Sequence, residues 1–334
     1  MRSRFSGKSI LVTGHTGFKG AWLSELLLFL GAEVTGVSLD PEATSLYEHL
    51  QLSQRVKDHR LDIRNLSSLQ EIVSESTPDL IIHLAAQSLV QVGKEFPLDN
   101  FSTNIMGTVN ILESARQSST APVLVVTSDK CYWPKSSPCK VGDTLGGKDP
   151  YSASKAAVEI IVQSYRDSYN MSVATARAGN AIGGGDWGKY RLIPDIMRAK
   201  YHGEKLTIRS PSARRPWQHV LDLSWGYINL CSQLMEGKAY RAWNFGPDTS
   251  ITVREMVDAL GASSIVSYSD NPVDETLALR LEIAETAKLL GWKNHLDWRT
   301  AVRWTAQDYQ ALHDNPAGFS RWIQNRIGQY LKMF

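Results

Sequence analysis

Residues 14–20, Gly14-His15-Thr16-Gly17-Phe18-Lys19-Gly20, space three glycines as GxxGxxG between an apolar β-branched run and a leucine-rich one. Few arrangements constrain a chain more. Residues 9–13, Ser-Ile-Leu-Val-Thr, read as a buried strand. Residues 21–30 carry many leucines and few breakers, so they read as a helix, closed by Gly31. Between the two, the first glycine permits a tight turn, the second lets backbone approach a pyrophosphate, and the third lets helix pack on strand. The helix N-terminus then offers unsatisfied N–H groups to phosphate. Three glycines alone fit many strand-to-helix turns; their placement makes the phosphate-cradling turn the better reading.

The same rhythm continues downstream. Residues 33–38, 80–84, 123–127 and 172–176 are further apolar strand candidates, while 100–116 and 151–169 read as helices. Strands that are apolar throughout and alternate with helices imply a parallel sheet covered on both faces. The expected fold is therefore α/β, a Rossmann-type doubly wound sheet with a smaller C-terminal lobe. The βα rhythm fades after Ala178, so residues 1–180 are assigned to the dinucleotide domain, with a returning segment at about 212–242. Residues 181–334 then form mainly the substrate lobe. A length of 334 residues with 43% hydrophobic and 21% charged content suits a folded globular protein. A formal net charge of +2 is too small to call for a nucleic-acid partner. The N-terminus lacks the apolar core of a signal peptide, and no segment approaches a membrane span. Three cysteines without a CxxC pattern fit a reducing cytoplasm.

At the cofactor end, Gly14, Thr16, Gly17, Phe18, Lys19 and Gly20 form the phosphate turn. Asp40, about 20 residues past the last glycine, suits the carboxylate that binds an adenosine ribose. A carboxylate there repels a 2′-phosphate, which favours NAD over NADP; Arg64 nearby keeps NADP open, and a turn aspartate before Pro41 is the plainer alternative. Asp62 and Ile63 are candidates for holding the adenine or for an ordinary surface loop. Leu84, Ala85, Ala86 and Gln87 end a strand with small residues, as a backbone lying against a dinucleotide requires.

The reaction chemistry is carried by two segments: Thr127-Ser128-Asp129-Lys130-Cys131-Tyr132, and Tyr151-Ser152-Ala153-Ser154-Lys155. A tyrosine and a lysine four apart share one helical face. The ammonium stabilises phenolate, so Tyr151 is expected to act as a base near neutral pH. Gly146 to Pro150 start that helix, and Ser128 ends the preceding strand at the same sheet edge, where ligands bind. Asp129 and Lys130 add an acid and a possible base.

These residues lie in segments that resemble the extended short-chain dehydrogenase/reductases acting on nucleotide sugars, and within them the CDP-D-glucose 4,6-dehydratase family. The segments are TGHTGFKGAWL (13–23), TSDKCYW (127–133), LGGKDPYSASKAAVE (145–159), ARAGNAIGGGDW (176–187) and RRPWQHVLD (214–222). The resemblance implies an NAD-dependent lyase of deoxysugar biosynthesis. In it Tyr151 takes the proton of the sugar 4-hydroxyl, Ser128 bonds the same oxygen, and Lys155 binds the nicotinamide ribose. Asp129 protonates the departing 6-hydroxyl. Lys130 stands where the dTDP-glucose dehydratases carry glutamate. A lysine is a base only if burial or nearby cations neutralise it; otherwise it steadies the enolate, or merely pairs with Asp129. Asn104 is implied on the cofactor.

On the substrate side, Gln87, Ser128, Asn180, Arg191, Arg209, Arg215, Asn244 and Arg280 are the candidate contacts. Arg215 is the preferred pyrophosphate ligand because a guanidinium forks onto phosphate oxygens, while Arg214 is expected in solvent. In DETLALRLE (274–282), Leu277 stands where the compared dehydratases carry histidine. No metal is expected. The resemblance also implies a homodimer or homotetramer through the helices at 100–116 and 151–169. Alternatives are another nucleotide-sugar dehydratase, a 4-epimerase, or a dinucleotide-binding regulatory protein; Asp129-Lys130 weighs against an epimerase, and an intact Tyr/Lys pair against a regulator.

Overall fold

The computed structural model describes residues 1–133, 138–269 and 280–334. Six strands succeed one another through the first half: β1 (Ser9–Thr13), β2 (Glu33–Ser38), β3 (Lys57–Arg60), β4 (Leu80–His83), β5 (Val123–Val126) and β6 (Val173–Ala178). A seventh, Ala242–Phe245, arrives late and joins the β6 edge. The sheet order is 3-2-1-4-5-6-7, and every neighbouring pair is parallel. This is the expected doubly wound α/β sheet.

Strand alternation assigns side chains to two cores. Ile10, Val12, Leu80, Ile82, Leu124 and Val126 bury on one face; Leu11, Ile81, Val123 and Val125 bury on the other. Because both faces are covered, the runs read as continuously apolar rather than alternating. The first face meets the Phe18–Phe29 helix and the Val220–Met235 helix. The second meets the helices Leu66–Ser76, Gly107–Ser118 and Pro150–Tyr169.

The helix expected at 100–116 is present, with a π turn inside it. Pro97–Phe101 and Gly107–Ser118 are α-helical, and Ser102–Met106 between them widens into a π turn. The extra residue in that turn lets Asn104 face inward, where it bonds Gln87 and Ser154. Such bulges often mark functional positions.

Beyond the sheet, short strand pairs assemble the second half: Ala181–Ile182 with Gln218–His219, Arg214–Arg215 with Ile251–Thr252, and Leu206–Arg209 with Val266–Ser269. Asp222 ties the C-terminal segment to this frame by accepting from the backbone N–H of His295 (3.0 Å) and Leu296 (3.1 Å) and from the Tyr330 hydroxyl (2.7 Å). The Trp298–Asp314 and Phe319–Leu331 helices thereby bury Trp304, Tyr309, Phe319 and Ile323 in the first core. Most tryptophans pack this junction; Trp133 and Trp322 stay exposed.

Two glycines are fixed by contact rather than by flexibility alone. Gly14 sits at φ +75°, and a Cβ on it would lie 2.7 Å from the Ala85 nitrogen. A Cβ on Gly20 would lie 2.1 Å from the Gly14 carbonyl oxygen. We expect G20A to cost about 1–3 kcal/mol of unfolding free energy, read from the urea midpoint. G142A should leave that midpoint unchanged, because nothing lies within 4 Å of its added methyl.

Candidate active site

The glycine turn is held from below by two side chains. Thr16 Oγ1 meets Ser38 Oγ at 2.6 Å and donates to the Leu39 carbonyl at 3.2 Å. His15 is fully buried with Nε2 2.9 Å from Asp58, and burial lowers its pKa toward the neutral ring. Gly17 caps the next helix without any side-chain hydrogen bond, so the first N–H groups of Phe18–Phe29 are open to an anion. This uncapped terminus, beside two glycines too crowded for a side chain, fits a dinucleotide pyrophosphate.

Farther along the edge, Asp40 is exposed, with Arg60 at 3.9 Å. Arg64, the residue that kept a 2′-phosphate open, is spent on carboxylates: it binds Asp62 through Nε and Nη2 and Asp99 through Nη1 at 2.7 Å. Asp62 is accordingly half-buried and held by Arg64, which lowers its pKa. Ile63 is buried, and its carbonyl accepts from Asn110 at 2.9 Å. Leu84 and Ala85 follow β4 against the glycine turn: Leu84 N–H donates to the Thr13 carbonyl and Ala85 N–H to Thr13 Oγ1. Ala86 is half-buried, and Asn104 clamps Gln87 on both its N–H and its carbonyl.

The reacting groups converge where β5 ends. Ser128, Asp129 and Lys130 turn through one 3-10 segment, Asp129–Cys131, in which Ser128 Oγ accepts from the Lys130 N–H at 3.2 Å. Ser128 Oγ also donates to Asp129 Oδ1 at 3.0 Å. Opposite, the Pro150–Tyr169 helix starts on an Asp149 cap that accepts from Ser152 N–H at 3.0 Å. That cap sets Tyr151 in the first turn, where Ser128 is close enough to lower the pKa of its phenol. Ser128 thus stands between the oxidation pair and the elimination pair.

Burial governs protonation here. Asp129 is raised above an ordinary carboxylate by desolvation, against the pull of Lys130 and its bond to Ser128. Such a group is biased toward the acid form. Lys155 donates to the Val126 carbonyl at 3.2 Å, and desolvation, with Lys19 repulsion behind it, brings it down to about 8. Lys19 is likewise lowered to about 8 by desolvation and by Arg191, while Asp129 and Asp186 act the other way. The lysine of the glycine turn is therefore coupled by charge to the catalytic centre.

Three expectations change. Tyr151 is not made acidic by Lys155: burial pushes its phenol up to about 12, and the offsetting groups are Ser128 and Arg191. The reason is that a buried phenolate loses its hydration while Lys155 is spent on a carbonyl. Lys130, expected to need burial to serve as a base, is exposed. Asn244, expected on the nucleotide, is completely buried and fully engaged: it accepts from the Tyr132 hydroxyl at 2.7 Å and donates to the Cys139 and Glu282 carbonyls.

On the substrate side, Arg191 is drawn into the centre by Asp186, whose two oxygens it meets at 2.9 and 3.0 Å, and it also reaches Ser88. Asn180 is exposed just beyond Gly179, whose added Cβ would lie 3.3 Å from Asp129 Oδ2. Arg209 ends a strand paired with Ser269 and is exposed. Arg215 is half-buried and donates to the Arg214 carbonyl; Arg214 is exposed and clipped to Ser250. Arg280 donates to the Asp248 carbonyl at 3.2 Å, and Leu277 lies outside the described residues. Among these arginines, Arg191 acts on both Tyr151 and Lys19.

Two supporting residues escaped the sequence reading. Asp186, which orients Arg191, lies inside the GGGDW stretch and was legible as a carboxylate near a cation. His83 ends β4, bonded to Thr13 and Thr108 and held to about 3 by burial and by Lys155. A lone histidine in an apolar strand gave no such signal. Among the described residues, no group of His, Cys, Asp and Glu is arranged to hold a metal.

Comparison with known proteins bears on this site. The family model described as GDP-mannose 4,6 dehydratase matches residues 11–276. The CDP-glucose 4,6-dehydratase of Salmonella typhimurium is 39% identical over 321 residues, covering 88% of each chain. UDP-glucose 4-epimerase 2 of Arabidopsis thaliana is 27% identical over 86% of this chain and 90% of its own. Among solved structures, a DesIV double mutant, a dTDP-glucose 4,6-dehydratase of Streptomyces venezuelae with NAD and DAU bound, superposes with a TM-score of 0.81 at 24% identity. It covers 92% of this chain and 97% of that one. A UDP-glucose-4-epimerase from Stenotrophomonas maltophila reaches a TM-score of 0.83 at 19% identity, covering 92% and 99%. The fold, the glycine turn and the extent of these matches together establish that the chain belongs to the GDP-mannose 4,6 dehydratase family.

Proposed function

We propose that this protein is an NAD-dependent lyase that converts CDP-D-glucose to CDP-4-keto-6-deoxy-D-glucose. One observation carries the reading: the acid-biased Asp129 carboxyl is hydrogen-bonded to the Ser128 hydroxyl, and the same serine lowers the pKa of the Tyr151 phenol. An enzyme that only moves a hydride has no use for that carboxyl. The similarity to the Salmonella typhimurium CDP-glucose 4,6-dehydratase supports the choice of nucleotide.

NAD⁺, when bound, accepts a hydride from C4 of the sugar and returns it to C6, so no net redox change results. The chain does the proton work. Tyr151 takes the proton of the 4-hydroxyl, helped by Ser128 and by the Arg191 charge, which both lower its pKa. Lys155 binds the nicotinamide ribose, and the backbone from Gly14 to Gly20 cradles the pyrophosphate, with Asp40 on the adenosine ribose. The ketone formed at C4 acidifies the C5 hydrogen. Loss of that proton and departure of the 6-hydroxyl form the C5–C6 double bond, and Asp129 delivers the proton that turns the leaving group into water. Lys130 serves the C5 step; exposed as it is, it suits the charge opposite the enolate better than the base. Gln87, Asn180, Arg191, Arg209, Arg215 and Arg280 line the path for the nucleotide sugar.

We assign the dinucleotide domain to residues 1–180 plus the returning segment near 212–242, and the substrate lobe mainly to 181–334. A homodimer or homotetramer is supported by exposed apolar side chains on the helices flanking the sheet, Leu98 at 81% and Ile160 at 60% exposure. A cytoplasmic location is supported by three buried cysteines, all free thiols.

Incubation with CDP-, dTDP-, UDP- and GDP-glucose, read by mass spectrometry, should show loss of one water from the CDP sugar foremost; no dehydration of any of the four sinks the reading. Y151F should lower turnover by roughly 10²–10⁴-fold, the range for a general base. K130M should abolish elimination while C4 oxidation stays detectable. K130R separates the two roles of that lysine, since arginine keeps the charge and cannot be deprotonated. Elimination surviving in K130R identifies an electrostatic role; its loss identifies a base.

With Lys19 near 8, the ammonium is present below that pH and lost above it. Dinucleotide affinity, followed by titration calorimetry, should therefore weaken by about tenfold between neutral and strongly alkaline pH, the worth of one charged hydrogen bond. K19M should flatten that dependence. An equally steep profile in K19M would remove Lys19 from the site.

A further inference from the structure

One turn beyond Lys155 on the same helix, Glu159 is buried beneath the site. Its carboxylate accepts from Thr127 Oγ1 at 2.5 Å, from Thr175 Oγ1 at 2.8 Å and from Arg177 Nη2 at 2.8 Å. Arg177, on β6, also donates through Nη1 to the Tyr132 hydroxyl (2.8 Å) and to the Val141 carbonyl (2.8 Å), and its guanidinium lies 4.9 Å from the centre of the Tyr132 ring. Tyr132 passes the chain on by donating to Asn244, which in turn grips the Cys139 and Glu282 carbonyls.

The two ends of this network matter most. Thr127 immediately precedes Ser128-Asp129-Lys130-Cys131, and Tyr132 immediately follows it. The turn that carries the elimination groups is therefore held at both ends by one buried ion pair. Such a pair is a weak source of stability, because removing two charges from water costs about as much as their attraction returns. Its value lies in the fixed geometry it imposes: misplacing a reacting group by ~1 Å can cost on the order of 10²-fold in rate.

We propose that Glu159, Arg177 and Tyr132 are positioning residues for elimination. They hold the Asp129 turn in register with the sugar C6 oxygen without touching substrate, and through Asn244 they bind that register to the segment at Cys139 and Glu282. Tyr151 and Lys155 share their helix with Glu159, but that helix starts on its own Asp149 cap, so loss of the Tyr132 hydroxyl bears on the Asp129 turn more than on C4 oxidation. The proposal rests on the dehydratase reading above.

The test is Y132F, which deletes one hydroxyl and leaves the Glu159–Arg177 pair intact. Dehydration is followed with CDP-glucose. Oxidation alone is followed with CDP-6-deoxy-D-glucose, which has no leaving group and should stop at the reduced nicotinamide, visible by its absorbance. The expected result is a fall in the ratio of dehydration to oxidation of about tenfold, with both KM values unchanged. A ratio that stays within threefold of wild type overturns the proposal, whatever happens to the melting temperature; any larger fall supports it. R177K, which keeps the charge beside Glu159 but shortens the reach to Tyr132, is read against the same threshold should Y132F fail to fold. A wild-type protein that dehydrates none of the nucleotide sugars defeats both readings, whereas an active wild type with unchanged ratios defeats only this one.

Discussion

The parallel direction of all seven strands is the constraint on which the site depends. Because each strand runs the same way, each returns through a helix, and every strand-to-helix turn emerges at one edge. The glycine turn after β1, the Leu84–Gln87 stretch after β4, the Ser128 turn after β5 and the Gly179–Asn180 stretch after β6 are brought together for that reason alone. No one of these segments is a site. Tyr151 joins them because the Asp149 cap starts its helix at the same edge, and Lys155 because it lies one turn on.

That edge is also where desolvation sets the chemistry. Asp129, Tyr151, Lys155 and Lys19 are each displaced toward their neutral forms, and in each case loss of water is the largest cause. For an acid that must give up a proton to a leaving hydroxide, the displacement is useful. For Tyr151 it is a cost that Ser128 and Arg191 partly offset. Around that centre two carboxyl groups, Asp129 and Asp186, face three basic groups, Lys19, Lys155 and Arg191. Asp186 keeps Arg191 aimed by holding it with both oxygens.

Legibility in the sequence followed the range of the interactions involved. β2 was readable to the residue because its apolar, β-branched run is a local property. The helix at 100–116 was readable, but its π turn was not, because that turn faces Asn104 toward Gln87 and Ser154, which come from other elements. The Tyr151–Lys155 spacing was readable as chemistry, yet the acidity of the phenol was not, since that depends on what surrounds it. Asn244 shows the same limit from the other side: an asparagine at the end of a strand looks free until Tyr132, Cys139 and Glu282 are seen to consume every polar atom it has.

The sequence alone determined the doubly wound sheet, the phosphate turn and the residue types of the reaction, because periodicity, glycine spacing and the i, i+4 relation are short-range and survive without coordinates. Only the tertiary structure decided how those groups are charged and held: that Lys19 and Asp129 act on each other's charge, that Lys130 stays in solvent, and that Glu159 and Arg177 grip both ends of the Ser128–Cys131 turn. These are consequences of burial and of contacts between distant segments, and neither is written in local pattern.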